Sequence, residues 1–221
     1  MRPDFYVLSW NDLLVSLLFI AFSLFLIKKW KLGLENTLLI GTLRTFVQLT
    51  LMGYVLTWFF DQQHWAFMLM LLFLMILIAS YEGTRRQKQV IPHFFPAMLV
   101  ALLGSAILIL GTILLFILDV EPWFSPYAAI PIGGMIIGNG LNSTALTANR
   151  FVGEMKHREK EIETLLALGA TPKLAVYDAM KASIHAALIP NINAMMTVGL
   201  VQLPGVMTGQ ILAGIDPIIA V

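Results

Sequence analysis

The chain has 221 residues, 58% of them apolar and 12% charged, with a mean hydropathy of +0.82. Soluble domains run at about 45–50% apolar and about 25% charged. So large an apolar excess cannot hide inside one globule of this length, and lipid must serve as part of the solvent. The formal charge of +1 carries no nucleic-acid signal, no Lys/Arg stripe with interleaved aromatics appears, and the lack of Cys excludes disulfides and thiolate metal sites.

A helix needs about 20 apolar residues to cross the hydrocarbon layer. The expected fold class is all-α, a polytopic membrane helix bundle of about six transmembrane helices in a single transmembrane domain covering 1–221, with a cytoplasmic helix-turn-helix segment. The first apolar run, 7–27, has only Arg2 before it, no A-x-A pattern after it, and ends in Lys28-Lys29, so it reads as a retained span and not as a signal peptide. Further spans are expected at 37–60, 65–81, 96–118 and 127–148, with a longer, more polar and glycine-rich sixth at 190–214. Between the last two lies a charged segment, 149–189.

Charge placement tests this division. Apart from Arg2 and Arg44, every basic residue falls in alternate connections: Lys28, Lys29 and Lys31; Arg85, Arg86 and Lys88; then Arg150, Lys156, Arg158, Lys160, Lys173 and Lys181. The intervening connections hold Asp61, Asp119 and Glu121. Cytoplasmic loops collect Lys and Arg, so the basic connections are expected inside and the N-terminus outside, in a multi-pass protein of the plasma (inner) membrane. Trp10, Trp30, Trp58, Trp65 and Trp123 all lie near expected span ends, where indole prefers the interface.

The segment 149–189 is polar at first and then amphipathic. Gly169 suits a helix C′ position, Thr171 an N-cap and Pro172 the first helical position, so the pattern predicts helix, tight turn, helix, with the second helix running from Pro172 to about Ile189. Tyr177, Met180, Ile184 and Leu188 share one face of it, and Lys173, Asp178, Lys181 and His185 mark a polar one. Two readings stand: a solvated connector, or a docking elbow for a cytoplasmic partner.

Polar residues inside spans face a cavity or another helix. In the sixth span these are Asn191, Asn193, Thr197, Gln202, Thr208 and Gln210, with Pro204-Gly205 interrupting the helix; in the fifth they are Asn139 and Asn142, beside a Gly134-x-x-x-Gly138 spacing. Arg44 and Gln48 lie one turn apart in the second span, where Arg44 either snorkels to the inner surface or faces the bundle interior. Asn139, Asn142, Asn191, Asn193, Thr197, Gln202, Arg44 and Gln48 are the pathway candidates, with plain helix–helix packing as the alternative. The four His residues form no cluster; Met135, Met195, Met196 and Met207 are soft donors that serve equally well as gap fillers.

No G-x-x-x-x-G-K-[ST] occurs, so this chain is expected to bind no ATP and not to be an enzyme. No carboxylate lies at mid-depth in a span, which speaks against a gradient-driven secondary transporter, and no His, Asp, Ser or Cys cluster points to a membrane enzyme. A non-transporting assembly subunit remains an alternative.

Three strings, "IPIGGMIIGN" at 130–139, "LALGATPKLA" at 166–175 and "ALIPNINAMMTVGLVQLPGVMTGQILAGIDP" at 187–217, resemble the FetB-type iron-export ABC transporter permeases, as does "GTLRTFVQLTLMGYVL" at 41–56 more loosely. The resemblance implies a permease that exports a metal ion, iron in bacterial members, as a homodimer driven by a separate cytoplasmic ABC ATPase that holds the ATP-Mg. It also implies that Glu161, Gly169, Ala170, Thr171 and Pro172 contact that ATPase, since Glu161 and Gly169 match the acidic and glycine positions of the loop with which such permeases touch it. Family members continue past "AGIDP" with a further span and a cytoplasmic tail, whereas this chain stops at Val221, so it is expected to be truncated relative to the family.

Overall fold

The computed structural model describes residues 10–62, 64–87, 91–118, 122 and 125–220. Arg2, the start of the first expected span (7–9), Lys88, Asp119, Glu121 and Trp123 lie outside the described residues. The described residues are mostly helical: α1 Trp10–Lys29, α2 Glu35–Gln62, α3 Trp65–Arg85, α4 Phe94–Ser105, α5 Pro126–His157, α6 Glu159–Ala167, α7 Pro172–Ala175, α8 Tyr177–Thr197 and α9 Gly205–Leu212. Extended pairing among the described residues is limited to one isolated bridge, Val198 with Gln202. Among the described residues, three helical stretches, Glu35–Phe60, Trp65–Arg85 and Phe94–Ile117, are long and apolar enough to cross a membrane by length and composition.

The chain divides into two units. The first, 1–58 with 198–221, holds α1, most of α2 and α9. Its large apolar side chains lie on the surface, Leu18, Phe22, Ile40, Phe46 and Leu49 among them. Helices apolar on all sides are what a hydrocarbon solvent permits. The linker after α1 turns at Lys31, which takes φ +49° as the C′ residue of α1: Lys31 N–H donates to the Lys28 carbonyl and Leu32 N–H to the Ile27 carbonyl.

The second unit, 59–197, contains the core. α3, α4 and α5 pack around Ile76, Ala79, Met98, Leu102 and Ile137, with a second cluster of Met68, Leu72, Leu110, Leu114 and Ala129. α8 packs along α5. Between helices in lipid there is little hydrophobic driving force, so close backbone approach carries the packing. Gly134 shares in that approach, a Cβ there coming 3.3 Å from Met75 Cε. A Cβ at Gly133 would lie 2.6 Å from Leu72 Cδ2 and one at Gly140 2.7 Å from Leu102 Cδ2, whereas Gly138 meets nothing within 4 Å.

Three elements differ from the expected regular helices, the first being α5, which runs on past 148 to His157. α4 widens past Ser105 into π-helical turns, Ala106–Leu110 and Ile113–Ile117, next to the weak helix formers Gly104 and Gly111. The helix expected from Pro172 to Ile189 breaks at Val176, and α8 then runs unbroken through Pro190 to Thr197, across the division at 189/190. Packing on α5 sustains that helix although Pro190 offers no N–H to the Ala186 carbonyl. The interruption expected near Pro204-Gly205 is present: α8 ends at Thr197 and α9 begins at Gly205, with Gly199 turning at φ +84° between them.

Candidate functional site

Two arrangements of polar chemistry stand out in the second unit: an elbow below α5 and a pair of hydrogen bonds centred on α5.

The elbow starts at Arg158, the residue between α5 and α6. Its N–H donates to the Glu154 carbonyl, and its own carbonyl accepts from Ile162 N–H. The guanidinium Nε lies 3.3 Å from Glu154 Oε2 and Nη1 3.8 Å from Glu161 Oε2, so one cation ties the end of α5 to the start of α6. These carboxylates are partly solvated, and each such pair contributes at most about 0.5 kcal/mol; their effect is on the angle of the bend. Glu161 is thus held by Arg158 and remains exposed.

α6 closes with a complete Schellman motif. Gly169 N–H donates to the Leu166 carbonyl and Ala170 N–H to the Leu165 carbonyl, both at 3.0 Å, with Gly169 at φ +89°. Thr171 then caps α7, its Oγ1 accepting from Leu174 N–H at 3.4 Å, and Pro172 takes the first helical position. Ile162 and Ala175 anchor the elbow inward, while Leu168 is 80% and Leu174 63% exposed. Two solvated leucines beside a capped, rigid turn form a contact surface; neither stood out in the sequence, because isolated leucines in a charged helix pair look like core residues.

α8 leaves the apolar face read from its pattern exposed and buries another. Tyr177, Ile184 and Leu188 are exposed and, with Met180, Lys181 and His185, line a shallow groove. The buried residues are the small ones, Ala179, Ser183 and Ala187. Small side chains win this contact because α5 and α8 run close.

The hydrogen-bonded pairs join distant positions. Arg86 Nη1, just past α3, donates to Asn142 Oδ1 at 3.1 Å. Asn191 Nδ2, on α8, donates to Ser143 Oγ at 2.9 Å. Asn142 and Asn191 are therefore brought onto neighbouring parts of α5, through partners that sequence reasoning did not assign. Asn139 is exposed on α5; Asn193 is exposed on α8, where Thr197 Oγ1 donates to its carbonyl at 3.1 Å. Arg44, Gln48, Gln202 and Met207 belong to the first unit, with Arg44 and Gln48 exposed on α2. Met135, Met195 and Met196 are exposed on α5 and α8. No group of three or more His, Asp or Glu able to hold a metal occurs among the described residues.

A family model described as "Uncharacterised protein family (UPF0014)" matches residues 10–221. The chain belongs to the UPF0014 family. Among its UPF0014 relatives, the Bacillus subtilis "UPF0014 membrane protein YjkA" is 38% identical over 214 residues, 97% of this chain and 84% of that protein. The Escherichia coli "Probable iron export permease protein FetB" is 34% identical over 211 residues, 96% of this chain and 80% of that one. The Arabidopsis thaliana "Protein ALUMINUM SENSITIVE 3" is 33% identical over 206 residues, 93% and 74%. No solved structure matches. Together with its apolar helices, these relationships make this UPF0014 chain a helical membrane protein.

Proposed function

We propose that this UPF0014 protein is the membrane-spanning permease subunit of an ABC transporter, exporting a metal ion, iron in the first instance, with energy from a separate cytoplasmic ATPase. The observation that carries the reading is the elbow at 158–176: a bend fixed by a Schellman motif and an N-cap, presenting Leu168 and Leu174 to water. A motor must push on something stiff, and apolar knobs at a stiff turn are the residues a partner's pocket would fill. The name of the Escherichia coli relative supports the cargo class and direction.

In this reading about six spans cross the membrane with the N-terminus outside and the basic connections, elbow included, in the cytoplasm. Two copies pair around the pathway, and two ATPase subunits bind beneath. Glu161, Gly169, Ala170, Thr171 and Pro172 shape the docking surface. Exposed amides on α5 and α8, Asn139, Asn142, Asn191 and Asn193, are costly against lipid and suit a hydrated wall. Thr197 and Gln202 extend that role, as do Arg44 and Gln48 on α2. With amide, hydroxyl and thioether groups in place of a carboxylate cage, Met135, Met195, Met196 and Met207 included, the cargo is held weakly, as release requires.

The test is co-purification with the ATPase followed by vesicle transport, comparing Fe, Al, Zn and Mn. The permease alone should hydrolyse no ATP. Leu168→Asp should reduce recovery of the ATPase at least about tenfold, the effect of removing a contact worth about 1.4 kcal/mol. Undiminished recovery, together with flux that survives ATP depletion, would reject the reading.

A further inference from the structure

On α8, and on the α7 residue before it, small residues recur every four positions: Ala175, Ala179, Ser183 and Ala187, all buried. α8 packs along α5. The next position in the series is Asn191, and there the contact changes character, because Asn191 Nδ2 donates to Ser143 Oγ of α5 at 2.9 Å. One residue earlier on α5, Asn142 accepts from Arg86 at the end of α3. Adjacent α5 residues thus hold α8 and α3.

We infer that Ser143 and Asn191 form the latch that carries movement of α8, at the far end of the elbow, into the middle of α5. The inference rests on the permease reading above. α8 begins at Tyr177, directly after the elbow, and its 21 residues make a rod about 30 Å long. A ridge of alanines gives close contact but little resistance to sliding or rotation, since one small side chain replaces another as the helix shifts. The directional hydrogen bond from Asn191 to Ser143 does resist, because it is made at one register only and slippage breaks it. Its position matters too. Pro190 removes an intrahelical bond next to the latch, so the rod is weakest where α5 takes hold of it. Ser143 and Asn191 are positioning residues: they fix the register of α8 on α5.

The chain has no cysteine, so a single introduced thiol can report on α5 without background. Leu146 is exposed on that helix, and Leu146→Cys supplies the probe. The complex with its ATPase is reconstituted in vesicles and labelled with a membrane-impermeant maleimide, with and without ATP. In the parent, ATP should change the labelling rate about fivefold, the scale of a modest allosteric coupling. In Ser143→Ala and in Asn191→Ala the ATP effect should vanish while ATP hydrolysis persists. The double variant should be no worse than either single one, and Ser143→Thr, which keeps the oxygen, should restore the response. An ATP effect of parental size in Ser143→Ala overturns the latch and leaves the permease reading standing. A parent that hydrolyses ATP with its partner yet shows neither an ATP effect nor iron flux overturns both.

Discussion

Gly83→Val is expected to destabilise the purified protein by about 3 kcal/mol, the upper part of the range for overpacking a filled core. Gly83 is buried near the end of α3. A Cβ there would run into the Met98 thioether and come within 2.8 Å of Leu141 Cδ1. Met98 is flexible in principle, but it is 1% exposed and enclosed by the cluster of Ile76, Ala79 and Leu102, so it has nowhere to retreat. α3 must therefore move away from α4 and α5. Because Arg86 lies less than one turn beyond Gly83, that movement also draws its guanidinium from Asn142. Gly104→Val is the control: a Cβ at Gly104 meets nothing within 4 Å, and its cost should stay below about 1 kcal/mol. Unfolding in mixed micelles checks both, and equal midpoints for the two variants would refute the packing argument.

The turn at 169–172 was legible in the sequence because its determinants are local, whereas the bend at Arg158 and the break at Val176 were not. Gly169, Thr171 and Pro172 each declare a backbone state through their own chemistry, and no distant residue is needed to read them. The helical membrane class was legible for a similar reason, since composition alone requires lipid. The polar pairs were half legible. Asn142 and Asn191 announced themselves as polar groups in apolar runs, but their partners lie 56 and 48 residues away in sequence, and periodicity carries no information about such pairings. Ser143 in particular is unremarkable in sequence and acquires meaning only from the packing of α8 on α5.

The division expected at 189/190 shows a different limit. Composition there changes from amphipathic to apolar, which suggests the end of a surface helix and the start of a span. The backbone does not change: α8 passes through Pro190 without a break. Hydropathy reports the solvent a segment meets, whereas helix continuity depends on what it packs against. A single rod that leaves the elbow and continues along α5 is a better lever than two helices joined by a hinge. The small-residue face that seats it was hidden behind the more conspicuous run of Tyr177, Met180, Ile184 and Leu188.

Gly169→Val should separate stability from coupling. Gly169 stands at φ +89°, and a Cβ there meets nothing within 4 Å, so the cost is purely one of backbone conformation. For a β-branched residue that cost is about 2 kcal/mol, enough to favour unwinding the last turn of α6. Unwinding breaks the bonds from Gly169 to Leu166 and from Ala170 to Leu165, and the elbow loses the stiffness that lets it transmit a push. The core is remote from this change, so the melting temperature in detergent should move little. Transport in vesicles should fall at least about tenfold, given that 1.4 kcal/mol already corresponds to a factor of ten, while the ATPase goes on hydrolysing. Asn tolerates positive φ better than other non-glycine residues, so Gly169→Asn should retain most of the flux. Normal coupling in the valine variant would mean that the bend at 169–172 transmits nothing, and that the force enters through some other part of the chain.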